Sequence, residues 1–269
     1  MDHVRPSRRE LLGGLAAAAL AARLPSAGAG DKPAVAMRFD FHHHFADPSL
    51  VPKEVQERVG PFRSIRNIES MDKGGVTTAL LSSFPNPDTF RDAKEGARQA
   101  RINNEFGAKL AADHKGRFGV FACLPLPHID ESLKEIEYGL DTLKTDGVCV
   151  ATNYGNRWLG DKAFDRVLAE LNRRKAVVYT HPFGAPCCEN LQPDTPPMLV
   201  EWNTCTSRAI WSLINDGRGA GKSYPSVATR YPDISFIWSH AGGTLLGLAG
   251  RFVGYELMLE TEGKKPEKD

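Results

Sequence analysis

Short apolar or β-branched runs alternate along this chain with segments whose apolar residues recur every three or four positions. The runs cover residues 36–41, 76–82, 117–124, 147–151, 176–180 and 234–239, and runs of that length predict buried strands. Between them the spacing turns helical. Ile65, Ile68 and Met71 share a face that stops at Gly74-Gly75, a glycine stop of the kind that ends helices. Asp130 predicts a cap ahead of Leu133, Ile136, Leu140 and Leu143, and Asp161 does the same ahead of Phe164, Val167, Leu168 and Leu171. Residues 198–214 also have helical spacing. Strand and helix in alternation predict a parallel α/β fold. With no repeat, low-complexity block or interdomain linker in view, the reading is one α/β domain.

Residues 1–29 do not fit that alternation. A charged start with Arg5, Arg8 and Arg9 leads into the apolar run 11–22 and then the Ala27-Gly-Ala29 site, the pattern of a secretory leader. The order Ser7-Arg8-Arg9-Glu10-Leu11-Leu12 is similar to a twin-arginine signal. A 12-residue apolar stretch falls short of the roughly 20 residues that span a bilayer. The expectation is therefore a leader over 1–29, a barrel domain over 30–269, and a periplasmic or secreted protein without a stable membrane span. The formal charge is +1 for the whole chain and −1 once a leader carrying four Arg and two acidic residues is removed. Such a balance offers no field for nucleic acid and favours a small-molecule partner.

Two further features change little. The five cysteines (Cys123, Cys149, Cys187, Cys188, Cys205) have irregular spacing that implies no disulfide framework, and Cys123 and Cys149 sit in apolar runs as buried hydrophobes. Gly217-Arg-Gly-Ala-Gly221-Lys222-Ser223 imitates a phosphate-binding loop, but Asp216 stands where that motif needs its first glycine, and the segment follows a helix. It reads as a surface loop.

The chemistry-bearing residues are histidines at predicted strand ends. Asp40-Phe41-His42-His43-His44 closes the first strand, Thr180-His181-Pro182 follows the fifth, and Ser239-His240-Ala-Gly-Gly243 follows the sixth. Strand alternation predicts His42 and His44 on one face with Asp40, and His43 on the other. In a parallel barrel all strand carboxyl ends open on one rim, so four histidines converge there. Neutral imidazoles that converge can share a metal ion. His114 and His128 fall in loops and read as solvated.

Several motifs in order resemble one known family: Asp40-x-His42-x-His44, the run Phe121-Ala-Cys-Leu-Pro125-Leu-Pro127, Asp146-Gly147, Thr180-His181-Pro182, Ser207-Arg208-Ala209 and Ser239-His240-Ala-Gly-Gly243. They resemble the amidohydrolase-related group that contains aminocarboxymuconate-semialdehyde decarboxylase. Thr152-Asn153-Tyr154-Gly155, with Arg157, Gly160 and Asp161, is most similar to its methylsalicylate decarboxylase-like branch. The resemblance implies a (β/α)8 metal-dependent hydrolase barrel with one divalent metal, zinc in the first instance and manganese as the alternative. It implies His42, His44 and His181 as ligands and His240 as the catalytic acid/base. A homodimer is common in that group.

By the same resemblance the activity is non-oxidative decarboxylation of a small aromatic or unsaturated carboxylic acid such as a hydroxybenzoate. Hydrolysis of a lactone, ester or amide is the alternative that the same residues permit. The Pro-rich stretch from His181 onward is expected to roof the pocket, with Phe45, Phe183 and Trp202 as substrate contacts. The family's ligand Asp after an eighth strand has no counterpart among the 29 residues beyond His240. The expectation is thus an incomplete barrel, strands 1–6 without 7–8, with a weakly active or inactive metal-binding fragment as the second alternative.

Overall fold

The structure is a computed structural model and describes residues 37–59, 64–84, 86–186, 196 and 198–264. Two compact units divide the chain, Met1–Met37 and Arg38–Asp269. Of the first only Met37 is described, an exposed residue outside regular structure. The expected leader, Cys187, Cys188 and most of the Pro-rich stretch lie outside the described residues.

Six strands form the main sheet: β1 (Phe39–His44), β2 (Thr78–Ser82), β3 (Phe118–Cys123), β4 (Gly147–Ala151), β5 (Val177–His181) and β6 (Ser235–Trp238). They lie side by side in chain order, and every pairing is parallel. Sequential parallel order with helical crossovers is the construction of a (β/α) barrel, and the curled sheet supplies six of its strands. Among the described residues β1 and β6 each pair on one side only. Every residue of β3 and β4 is buried, because parallel strands are covered on both faces. Alternation sorts their side chains. Leu80, Phe121, Cys123, Cys149 and Tyr179 form one cluster. Ala122, Leu124, Val148, Val150 and Val178 join another with the helices α4 (Ile129–Glu137) and α5 (Asp165–Arg173), through Ile136, Val167, Leu168 and Leu171.

Most helix expectations hold, with local shifts. The segment ending at Gly74 runs Ser64–Gly74, and Gly75 takes a left-handed φ of 66°. His128, not Asp130, occupies the N-cap position of α4. Asp130 sits in the first turn, where its charge meets the positive end of the helix dipole. His128 is also not solvated, since its Nε2 lies 2.9 Å from the Thr89 carbonyl oxygen. The last expected helix begins at Glu201, not Met198, as α6 (Glu201–Ile214). Met198, Leu199 and Val200 form an exposed turn that no side chain caps.

The loop that imitates a phosphate-binding motif is built around an inward-pointing cation. Arg218 is 3% exposed and donates to Asp216 (2.7 Å), Glu256 (2.5 Å) and the Lys264 carbonyl (3.0 Å). A buried guanidinium needs its donors satisfied, and these contacts fasten helix α8 (Leu245–Thr261) to the loop after α6. No helix of the described residues is long and apolar enough to cross a membrane.

Candidate metal centre

The histidine run belongs to β1 itself, which starts and ends about three residues later than the apolar pattern predicts. Its register against β2 slips between Asp40 and His43, a bulge of the kind that re-aims side chains near functional sites. Plain alternation therefore misplaces Asp40. Its carboxylate accepts from the His42 backbone (2.9 Å) and pairs with His43 Nδ1 (3.0 Å), while His43 Nε2 lies 3.3 Å from Asn67. Asp40 thus serves the His43 side of the strand.

His42 and His44 meet His181 from β5 and His240 from the turn after β6. Ring centroids lie 4.8 Å apart for His42–His44, 5.1 Å for His42–His181, 4.6 Å for His44–His181 and 4.8 Å for His42–His240. One ring nitrogen each from His42, His181 and His240 falls within 4.8 Å of the others, close enough to hold a metal ion together. The Nε2 atoms of His42 and His44 approach to 3.0 Å.

His181 is the most constrained. Its Nδ1 lies 2.9 Å from the Pro182 carbonyl oxygen, which fixes the proton on Nδ1. Its Nε2 is buried with no hydrogen-bond partner among the described residues. An imidazole whose far N–H is held by a carbonyl and whose near lone pair is unanswered is the arrangement of a metal-ligating histidine. Burial pushes the His181 pKa down to about 3, with the neighbouring histidine charges acting the same way. Burial and His42 push His44 to about 4, although one edge of that residue remains open to solvent. Desolvation also lowers His42 and His240. At neutral pH the cluster presents neutral nitrogen donors, so the residues present fit a divalent metal.

The turn that carries His240 is a strained device. His240, Ala241, Gly242 and Gly243 all have left-handed φ, of 51°, 54°, 80° and 65°. For His and Ala this conformation is costly and is held by its surroundings. Helix α6 does the holding: Ser207 Oγ lies 2.8 Å from Thr244 Oγ1, and a Cβ on Gly243 would stand 2.2 Å from the Asn203 carbonyl oxygen. Gly243→Ala is expected to destabilise the fold by about 1–3 kcal/mol and to displace His240. Denaturant unfolding checks the first effect and metal uptake the second.

A cavity of ≈360 Å³ opens over the cluster, lined by His42, His44, His181, Phe84, Phe183 and Trp202. Phe183 and Trp202, the expected substrate contacts, are in its wall. Trp202 lies 5.5 Å from the His181 ring, and Phe84 packs at 5.5 Å on both His181 and Phe183. Phe45 does not line this cavity. It is 6% exposed and packs with Met71, Leu81, Leu110 and Val120, because the residue after inward-facing His44 points the other way. Tyr179, two positions before His181 on the same strand face, lies under the site with its ring 6.1 Å from His42; the period of two gives it away in the sequence. A roomier cavity of ≈550 Å³ near Phe90 and Tyr154 has no histidine in its lining.

The decarboxylase macB of Penicillium terrestre is 33% identical over 232 residues, which are 80% of this chain and 66% of that protein. The 6-methylsalicylic acid decarboxylase of Penicillium expansum is 32% identical over 221 residues, 77% of this chain and 65% of its own length. The chain therefore spans about two thirds of the curated relatives it matches. Among solved structures, a dihydroxybenzoic acid decarboxylase from Polaromonas sp. JS666, with bound manganese and the inhibitor 2-nitroresorcinol, superimposes with a TM-score of 0.66 at 19% identity, covering 80% of this chain and 68% of that one. It shares the fold. A sequence profile of the family described as Amidohydrolase matches residues 39–262, which take in all six strands and all four clustered histidines: the chain belongs to the amidohydrolase family.

Proposed function

We propose that the chain is a metal-dependent, non-oxidative decarboxylase of a small aromatic carboxylic acid of the hydroxybenzoate kind. The observation that carries this reading is the buried, unanswered Nε2 of His181 among three further imidazoles, beneath an aromatic-walled cavity. The relatives' activities support the choice of decarboxylation over hydrolysis. His42, His44 and His181 would hold the ion, zinc first and manganese second. When bound, such an ion would supply a Lewis acid for a carboxylate substrate.

The chain's own residues do the rest. Phe84, Phe183 and Trp202 seat an aromatic ring and keep water from it. Breaking the ring–carboxyl bond sends the carboxyl carbon away as CO2 and leaves the electron pair on the ring carbon. His240, half-buried at the edge of the cluster, takes up a proton from solvent and passes it to this carbon. Residues 1–29 support export of the protein. The testing experiment assays zinc- and manganese-replete protein on hydroxybenzoates and on lactones. CO2 release from a hydroxybenzoate is expected, and lactone hydrolysis without CO2 release overturns the reading in favour of a hydrolase.

A further inference from the structure

Ser82 closes β2 and is the register partner of His44 across the parallel ladder. It is fully buried, and its carbonyl accepts from the Phe45 backbone N–H at 3.1 Å. Its Oγ lies 3.1 Å from His44 Nδ1. A neutral imidazole carries one proton, so this contact decides which nitrogen of His44 faces the cluster with a lone pair. If Ser82 donates to Nδ1, the proton sits on Nε2 and His44 cannot bind an ion there. If Ser82 accepts, Nε2 is free.

The second arrangement is the one a ligating histidine needs, with its outer N–H held and its inner nitrogen bare. Tyr179 has a buried phenol oxygen without a hydrogen-bond partner among the described residues, and the Ser82 side chain is its neighbour. On the other side, His44 Nε2 meets His42 Nε2 at 3.0 Å, and that pair needs one acceptor. With Ser82 buried, no water can replace its hydroxyl.

We propose that Ser82 is the positioning residue that locks His44 in its Nδ1–H tautomer and aims Nε2 at the metal centre. The inference rests on the metal-centre reading for its purpose, but the tautomer itself is a property of the ion-free chain. Outer hydrogen-bond partners of ligating histidines change metal affinity by roughly 10–100-fold when removed.

The test combines two measurements on the full chain. Two-bond 1H–15N NMR of ion-free protein reads the His44 tautomer, and competition with a chelating dye reads zinc affinity. Wild type is expected to show the Nδ1–H form. Ser82→Ala is expected to lose that preference and to bind zinc roughly 10–100-fold more weakly, whereas Ser82→Thr, which keeps the hydroxyl, restores both. An Nε2–H tautomer in wild type, or an unchanged tautomer in Ser82→Ala, overturns the proposal, as does unchanged zinc affinity in that variant. A wild-type chain that takes up no zinc overturns the metal reading instead, and the tautomer spectrum still decides the role of Ser82. If Ser82→Thr does not fold, the Ser82→Ala spectrum alone carries the decision.

Discussion

His181→Ala is expected to abolish stoichiometric zinc or manganese uptake and CO2 release together. Each other histidine of the cluster keeps some solvent access, but His181 is 7% exposed and its Nε2 has no hydrogen-bond partner among the described residues. A buried acceptor left unanswered costs about 1–3 kcal/mol, and a metal ion bound at the cluster would remove that penalty. Loss of the side chain removes a donor from the middle of the set, so the affinity should fall by more than the roughly 10–100-fold that loss of an outer partner brings. His128→Ala is the control. That imidazole makes a comparable contact with a carbonyl, to Thr89, but lines no part of the pocket, and its loss should leave metal uptake as in wild type. Metal content after dialysis, thermal unfolding and CO2 release separate the effects. Retention of one ion per His181→Ala chain sinks the ligand assignment.

The same residues show what a sequence can and cannot reveal. Strands β2 to β5 were legible because each is a mostly buried apolar run, and a parallel sheet covered on both faces writes that pattern directly into the chain, whereas β1 and β6 hold no fully buried residue. Convergence of the histidines followed from the rule that parallel strands end on one rim. Asp40 was misplaced because alternation assumes an unbroken ladder, and the slip between Asp40 and His43 depends on pairing with a strand some forty residues away. Phe45 looked like a pocket residue through its neighbourhood to His44, yet it lies past the last ladder pair and turns to the helix side. Arg218 was hidden for a different reason: a glycine-rich segment reads as surface until the partners of its cation, Asp216 and Glu256, are seen around it. Ser82 carries no motif. Its importance comes from its register opposite His44, which only the pairing of β1 with β2 exposes.

His240→Asn is expected to lower turnover on a hydroxybenzoate by roughly 10²–10⁴-fold, the range that a positioned acid contributes, while zinc affinity stays within about tenfold of wild type. Asparagine is the apt replacement because it tolerates the left-handed φ of 51° at this position, so the turn survives while the proton carrier is lost. The prediction separates two ways of dividing the four histidines. His42 and His181 belong to the ligand set in both. The family resemblance gives the third place to His44 and leaves His240 as the acid. The distances alone admit His240 as the third ligand, since its nitrogen lies within 4.8 Å of those of His42 and His181. The hydrogen bonds weigh on the first side: His44 Nδ1 is tied to buried Ser82 at 3.1 Å, whereas His240 Nδ1 has Ser239 Oγ at 3.4 Å. A ligand is held by its outer contact, and a proton carrier has to exchange with solvent, which a half-buried ring on a strained turn can do. The paired variant His44→Ala completes the comparison. It should lose the metal as His181→Ala does, and with it all turnover. Should His240→Asn shed zinc while His44→Ala keeps it, the two roles are exchanged, and the proton for the ring carbon must come from another group on the rim.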